Sequence, residues 1–257
     1  MESHAGFPFS KIDLNIPKLS IIIPCYNEVG NIPSLFQKLR TFQNRDIEII
    51  LVNNGSTDET SAVLSKELDD KSSIIKSVSI KENIGYGHGI MTGVRFSQGQ
   101  IISWTHADLQ TDPLDVVNAF STYINNPDYK KCILKGRRIG RNLFDVFFTF
   151  WMGVLSTILM RVKLTDINAQ PKMFHRSFLE NMKDVPNDFS LDLYLLYQAR
   201  INNYSVIEYP VQFSKRIYGE SKGGGTLKGK WKLIKRTWTY MIKLRKKIKE
   251  QHGNNNT

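Results

Sequence analysis

At 257 residues and 41% hydrophobic content, the chain can bury one full core in a single large domain, and its composition is ordinary for a soluble globular protein. Two cysteines, Cys25 and Cys132, exclude a disulfide framework and fit reduced thiols in a cytosolic setting. The formal charge of +11 is concentrated: residues 215–250 carry 13 Lys and Arg against 2 acids, and the remainder balances at 22 of each. That placement points to an acidic surface as partner of one C-terminal stretch rather than to a basic fold.

The first 17 residues have neither an apolar core nor a basic start, so they read as a loose N-terminal arm and not as a signal peptide. Residues 19–24 are apolar, β-branched and stopped by Pro24, which predicts a buried strand. Helical spacing of Ile32, Leu35, Phe36 and Leu39 follows over residues 29–43. A second buried strand, 47–52, ends at Asn53-Asn-Gly55. Ser56 and Glu59 then stand at capping-box spacing, which predicts a helix opened by Ser56. A third strand at 74–80 leads to the glycine-rich stretch 83–89 and another helix. Those glycines follow the third strand with the wrong spacing for a dinucleotide fingerprint, so they predict a close approach to a neighbouring strand or ligand. The fourth strand, 100–105, delivers His106 to Gln110 at its carboxyl end, and Asp112-Pro113 starts the next helix.

Buried strands joined by crossover helices mean an α/β fold with a mostly parallel sheet covered on both faces. Ligands bind such sheets at the carboxyl ends of the strands. Three polar clusters coincide there: Tyr26-Asn27-Glu28, Asn53-Asn54 and His106 to Gln110. Residues 106–110 read as an extended segment, so Asp108 and Gln110 point the same way. Two such oxygen ligands suit a hard divalent cation held mainly by a diphosphate, and equally suit a solvated loop.

In the second half, residues 131–135 form a strand ending in Gly136-Arg-Arg138, followed by an apolar helix over 143–160. Its uncharged run, 146–160, is 15 residues, short of the roughly 20 that span a bilayer, so no membrane-spanning helix is expected. A core helix or one dipping into a membrane interface accounts for it. Residues 191–199 are helical, and 205–209 form a strand that feeds the basic loop Arg216-Ile-Tyr-Gly-Glu-Ser-Lys222. Two fixed cations around that turn suit phosphate that gains charge during transfer. In the last helix, 227–249, Leu227, Trp231, Ile234, Trp238, Met241 and Ile248 share one face and basic residues fill the rest. That is the pattern of a helix lying on an anionic bilayer. Packing on the domain is the competing reading, and no nucleic-acid motif accompanies the charge.

The motifs Pro24-Cys-Tyr-Asn-Glu28, Asn53-Asn-Gly-Ser-Thr-Asp58, Asn83-Ile-Gly85, Ala107-Asp-Leu-Gln110, Gly136-Arg-Arg138, Thr165-Asp166 and Arg216 to Lys222 occur in one order. In that order the chain resembles glycosyltransferase family 2, with the GT-A fold, and within it the polyprenyl-phosphate hexose synthases. The resemblance spans roughly residues 18–225, leaving 226–257 as a basic amphipathic helix and tail. It implies an inverting transfer of a hexose from a UDP- or GDP-linked donor to polyprenyl phosphate, at the cytosolic face of a membrane to which the protein attaches peripherally. Pro24, Tyr26, Asn27, Glu28, Asn53, Asn54, Gly85, His106, Ala107 and Asp108 would hold the nucleotide sugar. Asp108 and Gln110 would hold Mg²⁺ or Mn²⁺, and Arg138, Arg216 and Lys222 would grip phosphate. Asp166 is either a general base or a carboxylate that orients Arg138 or caps a turn. A lipid phosphate needs no base, whereas a saccharide acceptor does.

Three departures from the family pattern stand out. Asn53-Asn54 replaces the usual pair of aspartates, His106 replaces an aspartate, and Asn168-Ala-Gln-Pro-Lys172 replaces the usual Thr-Ser-Gly-Phe-Arg. They leave room for two alternatives: transfer to a saccharide in surface-glycan assembly, or a catalytically silent membrane-bound partner subunit. The sequence sets no oligomeric state.

Overall fold

A computed structural model describes residues 17–42, 46–68, 74–216, 218 and 227–253. The expected N-terminal arm, apart from Pro17, lies outside the described residues, as do Lys222 and residues 254–257. Among the described residues there are seven strands: β1 (Leu19–Cys25), β2 (Ile47–Asn54), β3 (Ile75–Ile80), β4 (Ile101–Trp104), β5 (Cys132–Ile139), β6 (Lys172–His175) and β7 (Ser205–Gln212). They form one sheet in the order β3-β2-β1-β4-β6-β5-β7. β6 pairs antiparallel with both β4 and β5, while the other pairings are parallel. Reversal of this one strand has a direct consequence: its amino end joins the carboxyl ends of the other six along one edge.

Among the described residues there are seven α-helices: α1 (Ile32–Leu39), α2 (Thr60–Leu68), α3 (Tyr86–Phe96), α4 (Leu114–Ile124), α5 (Leu143–Met160), α6 (Leu191–Ile201) and α7 (Leu227–Gly253). Alternation along the strands sorts the core into two layers. Leu19, Ile21 and Ile23 pack with α1 and α4 on one face, and Ile22, Ile50, Val52 and Trp104 pack with α3 and α6 on the other.

The helix expected to open at Ser56 begins instead at Thr60, whose backbone N–H donates to Asp58 Oδ1 (3.0 Å). The capping box does not form, because the Ser56 hydroxyl is taken by the N–H of Asn27 across the loops (3.1 Å). β6 has no counterpart in the sequence reading. Four residues that begin with a lysine and follow a proline give no hydrophobic alternation to detect.

α5 corrects the core-helix reading. Only Gly153, Ser156 and Met160 are buried, while Leu143, Phe147, Phe150, Trp151 and Ile158 are exposed. With 18 residues and a mean hydropathy of 1.8, it is long and apolar enough to cross a membrane, and at 1.5 Å per residue it measures about 27 Å. The uncharged run of 15 residues begins after Asp145, which the helix includes in its first turn.

α7 also differs from expectation, because its single stripe divides. Met241 is fully buried in the core layer, with Tyr240 and Leu244 packed against it, and Ile234 lines a cleft. Trp231, Trp238 and Ile242 stay exposed. The helix therefore packs on the domain along one edge, meets α5, and leaves its tryptophans outside.

Gly136 in β5 illustrates how tightly the site edge is built. A Cβ there would lie 1.9 Å from the carbonyl oxygen of Gln170 and 2.5 Å from its carbon. Gly136→Ala is expected to lower stability by about 3 kcal/mol or more, since backbone rather than a flexible side chain must move. Urea unfolding of the variant measures this directly.

Candidate functional site

The strand ends open on a cleft of about 740 Å³. Each of its walls comes from a different element. The turn after β1 contributes Pro24, Tyr26 and Glu28; the end of β2 contributes Asn54; the loop before α3 contributes Asn83 and Gly85; and the turn after β4 contributes His106, Ala107, Asp108 and Gln110. Arg138 from β5, Gln170 from the run into β6, Arg216 after β7, and residues of α5, α6 and α7 complete it.

Asp108 and Arg216 meet. The guanidinium Nη2 donates to Asp108 Oδ2 at 2.5 Å, and Nη1 lies 3.9 Å from Glu28 Oε1. They reach each other because the chain after β7 runs beside the turn after β4: Ser214 N–H donates to the Gln110 carbonyl (2.8 Å), and Gln110 Nε2 returns a bond to the Ser214 carbonyl (3.3 Å). Asp108 and Gln110 both line the cleft, though not by strand alternation. Leu109 has φ 57°, so the segment is a bend, and Asp108 Oδ1 accepts from the Gln110 N–H (3.1 Å).

Asn27 and Asn53 stand outside the cleft wall and act as clasps. Asn27 Oδ1 accepts from Thr57 N–H (2.8 Å), its Nδ2 donates to Thr57 Oγ1 (3.1 Å), and Asn53 Oδ1 accepts from Ser56 N–H (3.2 Å). Asn54 differs from them. Its Nδ2 donates to the Gly85 carbonyl (3.1 Å), which fixes the amide orientation, and its buried Oδ1 has no partner. Gly85 adopts φ 143°, and a Cβ there would lie 2.3 Å from the Asn187 carbonyl oxygen, so the close approach of this loop is to the segment before α6 rather than to a strand or ligand.

Asp166 is bound on several sides. Arg138 donates to it from Nε (3.0 Å), Nη2 and the backbone N–H (3.0 Å), and Arg141 Nη2 lies 3.9 Å away. Burial alone would raise its pKa, but the charge and hydrogen bonds of Arg138, with Arg141 behind, hold it below the ordinary carboxylate value. These contacts tie Asp166 to the Arg138 guanidinium and backbone. Arg141 was not singled out in the sequence, although it follows Arg138 by three residues. It donates to Thr149 Oγ1 of α5 (2.7 Å), and its buried Nε has no partner.

His106 is kept neutral. Burial lowers its pKa, Lys172 and Arg138 lower it further, and Asp108 and Asp192 pull in the opposite direction without prevailing. Its ring lies 5.5 Å from Tyr86, which stacks on Phe189 at 4.6 Å, and Arg236 of α7 sits 4.8 Å over Phe189. This ladder carries α7 to the cleft.

Among the described residues there is no group of three His, Cys, Asp or Glu placed to hold a metal ion. Asp108, 6% exposed on the wall, with Gln110 beside it, fits a hard cation that draws most of its oxygen ligands from a bound diphosphate.

Comparison with known proteins bears on the family and the fold. The family model described as "Glycosyl transferase family 2" matches residues 20–167. An undecaprenyl-phosphate 4-deoxy-4-formamido-L-arabinose transferase of Enterobacter sp. (strain 638) is 26% identical over 214 residues, covering 80% of this chain and 63% of that protein. Its counterpart in Klebsiella pneumoniae (strain 342) is 22% identical over 213 residues, with the same coverage. The chain thus spans under two thirds of the length of these relatives. Among solved structures, glucosyl-3-phosphoglycerate synthase from Mycobacterium tuberculosis in complex with Mn²⁺, UDP-glucose and phosphoglyceric acid superposes with a TM-score of 0.69 at 14% identity, over 88% of this chain and 79% of that one. A mannosyltransferase from Pyrobaculum calidifontis in complex with GDP-Man and Mn²⁺ gives 0.60 at 18% identity, over 80% and 59%. The sheet is that of the GT-A glycosyltransferases, and the chain belongs to glycosyl transferase family 2.

Proposed function

We propose that the chain transfers a hexose from a UDP- or GDP-linked donor to a polyprenyl phosphate, working peripherally at the cytosolic face of a membrane. One observation carries the choice of acceptor. The cationic pair Arg138 and Arg141 stands at the foot of α5, whose far side is an exposed apolar surface. Cations that grip a phosphate beside a surface that takes up hydrocarbon suit an amphiphile with a phosphate head. Both curated relatives carry undecaprenyl-phosphate in their names.

The donor diphosphate lies against Arg216 and Asp108, with its base toward Asn54, whose free Oδ1 accepts an N–H from the base edge. Mg²⁺ or Mn²⁺ bound at Asp108 and Gln110 would offset charge on the leaving diphosphate. An oxygen of the acceptor phosphate forms the new bond to the anomeric carbon. The bond from that carbon to the nucleotide's β-phosphate oxygen breaks, and the oxygen departs with both electrons. No proton moves, so no base is needed. Arg138 and Arg141 orient the acceptor, Arg216 steadies the leaving group, and Asp166 keeps Arg138 aimed.

Asp166→Asn distinguishes this from transfer to a saccharide. Loosening Arg138 is expected to raise KM for the lipid phosphate about tenfold while kcat stays within a fewfold of wild type. Near-complete loss of kcat would identify Asp166 as a base and favour a saccharide acceptor. The same substitution should blunt acid unfolding. The stabilisation from the depressed Asp166 pKa is present above the unfolded carboxylate value and is lost as pH falls through the folded one.

The activity itself is tested by incubating the protein with radiolabelled UDP- and GDP-sugars, polyprenyl phosphate and Mn²⁺. Label in the organic phase is the expected result, and label that stays aqueous with every donor would refute the reading.

A further inference from the structure

The floor of the cleft carries a polar network that the reaction as described leaves unused. Gln170 is 1% exposed and lines the cleft at the amino end of β6. Its Nε2 donates to Asp192 Oδ2 (3.0 Å) and to the Tyr86 hydroxyl (3.1 Å). A carboxylate only accepts, so this contact fixes which end of the amide is nitrogen. The Oε1 is left as a buried acceptor without a partner.

Asp192 is held equally firmly. Trp104 Nε1 donates to its Oδ1 (3.0 Å), and Lys172 Nζ lies 3.7 Å from the same oxygen. Burial brings the Lys172 amine down to about 8, with Asp192 opposing. A buried acceptor left unpaired is costly. Natural structures keep such groups rarely, and a bound partner is one reason to keep one.

The location specifies the partner. β6 lies between β4 and β5 in the sheet, so its amino end falls between the end of β4, which leads to Asp108, and Arg138 on β5, and Gln170, Asp108 and Arg138 all line the one cleft. On the reading above, the sugar ring occupies that interval. We propose that Gln170, braced by Asp192 and Tyr86, is a specificity-determining residue whose Oε1 accepts a hydrogen bond from one hydroxyl of the transferred sugar. A sugar deoxygenated at that carbon leaves the acceptor unpaired and is selected against.

This inference rests on the nucleotide-sugar reading, and the test separates the two. Wild type and Gln170→Met, close in volume, are titrated by calorimetry with Mn²⁺ and UDP-glucose, UDP-N-acetylglucosamine or GDP-mannose, then with UDP or GDP alone. The expected result is at least a tenfold weaker Kd for the bound nucleotide sugar in the variant and a change within twofold for the bare diphosphate. Equal changes for both, or none for either, would overturn the proposal. In a second arm that needs no variant, wild type is titrated with deoxy analogues of the sugar nucleotide that binds. One analogue should lose tenfold or more; if all bind like the parent, Gln170 reads no hydroxyl. Failure of wild type to bind any of the three nucleotide sugars would sink the nucleotide-sugar reading itself, and this inference with it.

Discussion

Asp108→Asn is expected to lower kcat/KM for sugar transfer by about a thousandfold, the scale of removing a principal electrostatic contact from a transfer site. The amide keeps the size of the side chain but gives up the charge that both anchors Arg216 at 2.5 Å and faces the diphosphate. The fold should survive, because Arg216 retains Glu28 at 3.9 Å and Asp108 lies in a bend rather than in the strand core. Thermal unfolding within a few degrees of wild type, alongside the lost activity, separates a site effect from misfolding. Arg216→Gln should cost nearly as much alone, and the double variant little more, since the two side chains act as one unit. Additive losses in a double-mutant cycle would show that they work separately.

The second large effect concerns α5. Phe147 and Phe150 are 58% and 62% exposed on the side away from the cleft. Replacing both by Glu removes about 3 to 6 kcal/mol of apolar burial if that face sits in lipid. Co-sedimentation with anionic vesicles should then fall at least a hundredfold in partition coefficient, and transfer to vesicle-borne lipid phosphate should fall with it. Binding of nucleotide sugar should be unchanged, because the cleft is lined by Asp145, Phe148, Thr149 and Met152 on the opposite side of the helix. Salt offers an internal contrast. Attraction between the basic residues of α7 and anionic lipid is screened as ionic strength rises, whereas the contribution of Phe147 and Phe150 persists. Vesicle binding by the Glu variant equal to wild type would show that this face meets something other than a membrane.

The parallel half of the sheet was legible because buried strands announce themselves: Leu19 to Ile23 and Ile47 to Val52 are apolar runs with turn residues at their ends. Placing Tyr26, Asn54, His106 and Asp108 at one edge needed only the rule that such strands share a direction. What escaped the sequence was tertiary in origin. Lys172 to His175 gave no strand signal, since Lys172 is buried by pairing with Asp192 rather than by being apolar. Without β6 nothing placed Gln170 at the site, although the departure at 168–172 had drawn notice. Ser56 lost its capping role to a contact with Asn27, 29 residues away. Helical periodicity put Met241 and Trp238 on one stripe, yet only docking of α7 on the core layer decides that Met241 is inside and Trp238 out. Asp166 shows the same. Both readings were open from the sequence, and the three hydrogen bonds from Arg138 are a tertiary feature that no spacing foretells.

The claim at the centre of this account is that a sugar donor's two phosphates rest on Asp108 and Arg216 at the carboxyl edge of the sheet. Calorimetric titration of UDP and GDP into wild type and Asp108→Asn, with and without Mn²⁺, tests it most directly. One of the two nucleotides should bind wild type more tightly when Mn²⁺ is present, and the variant should lose that enhancement entirely. Equal binding by both proteins, with the same response to Mn²⁺, would contradict the claim.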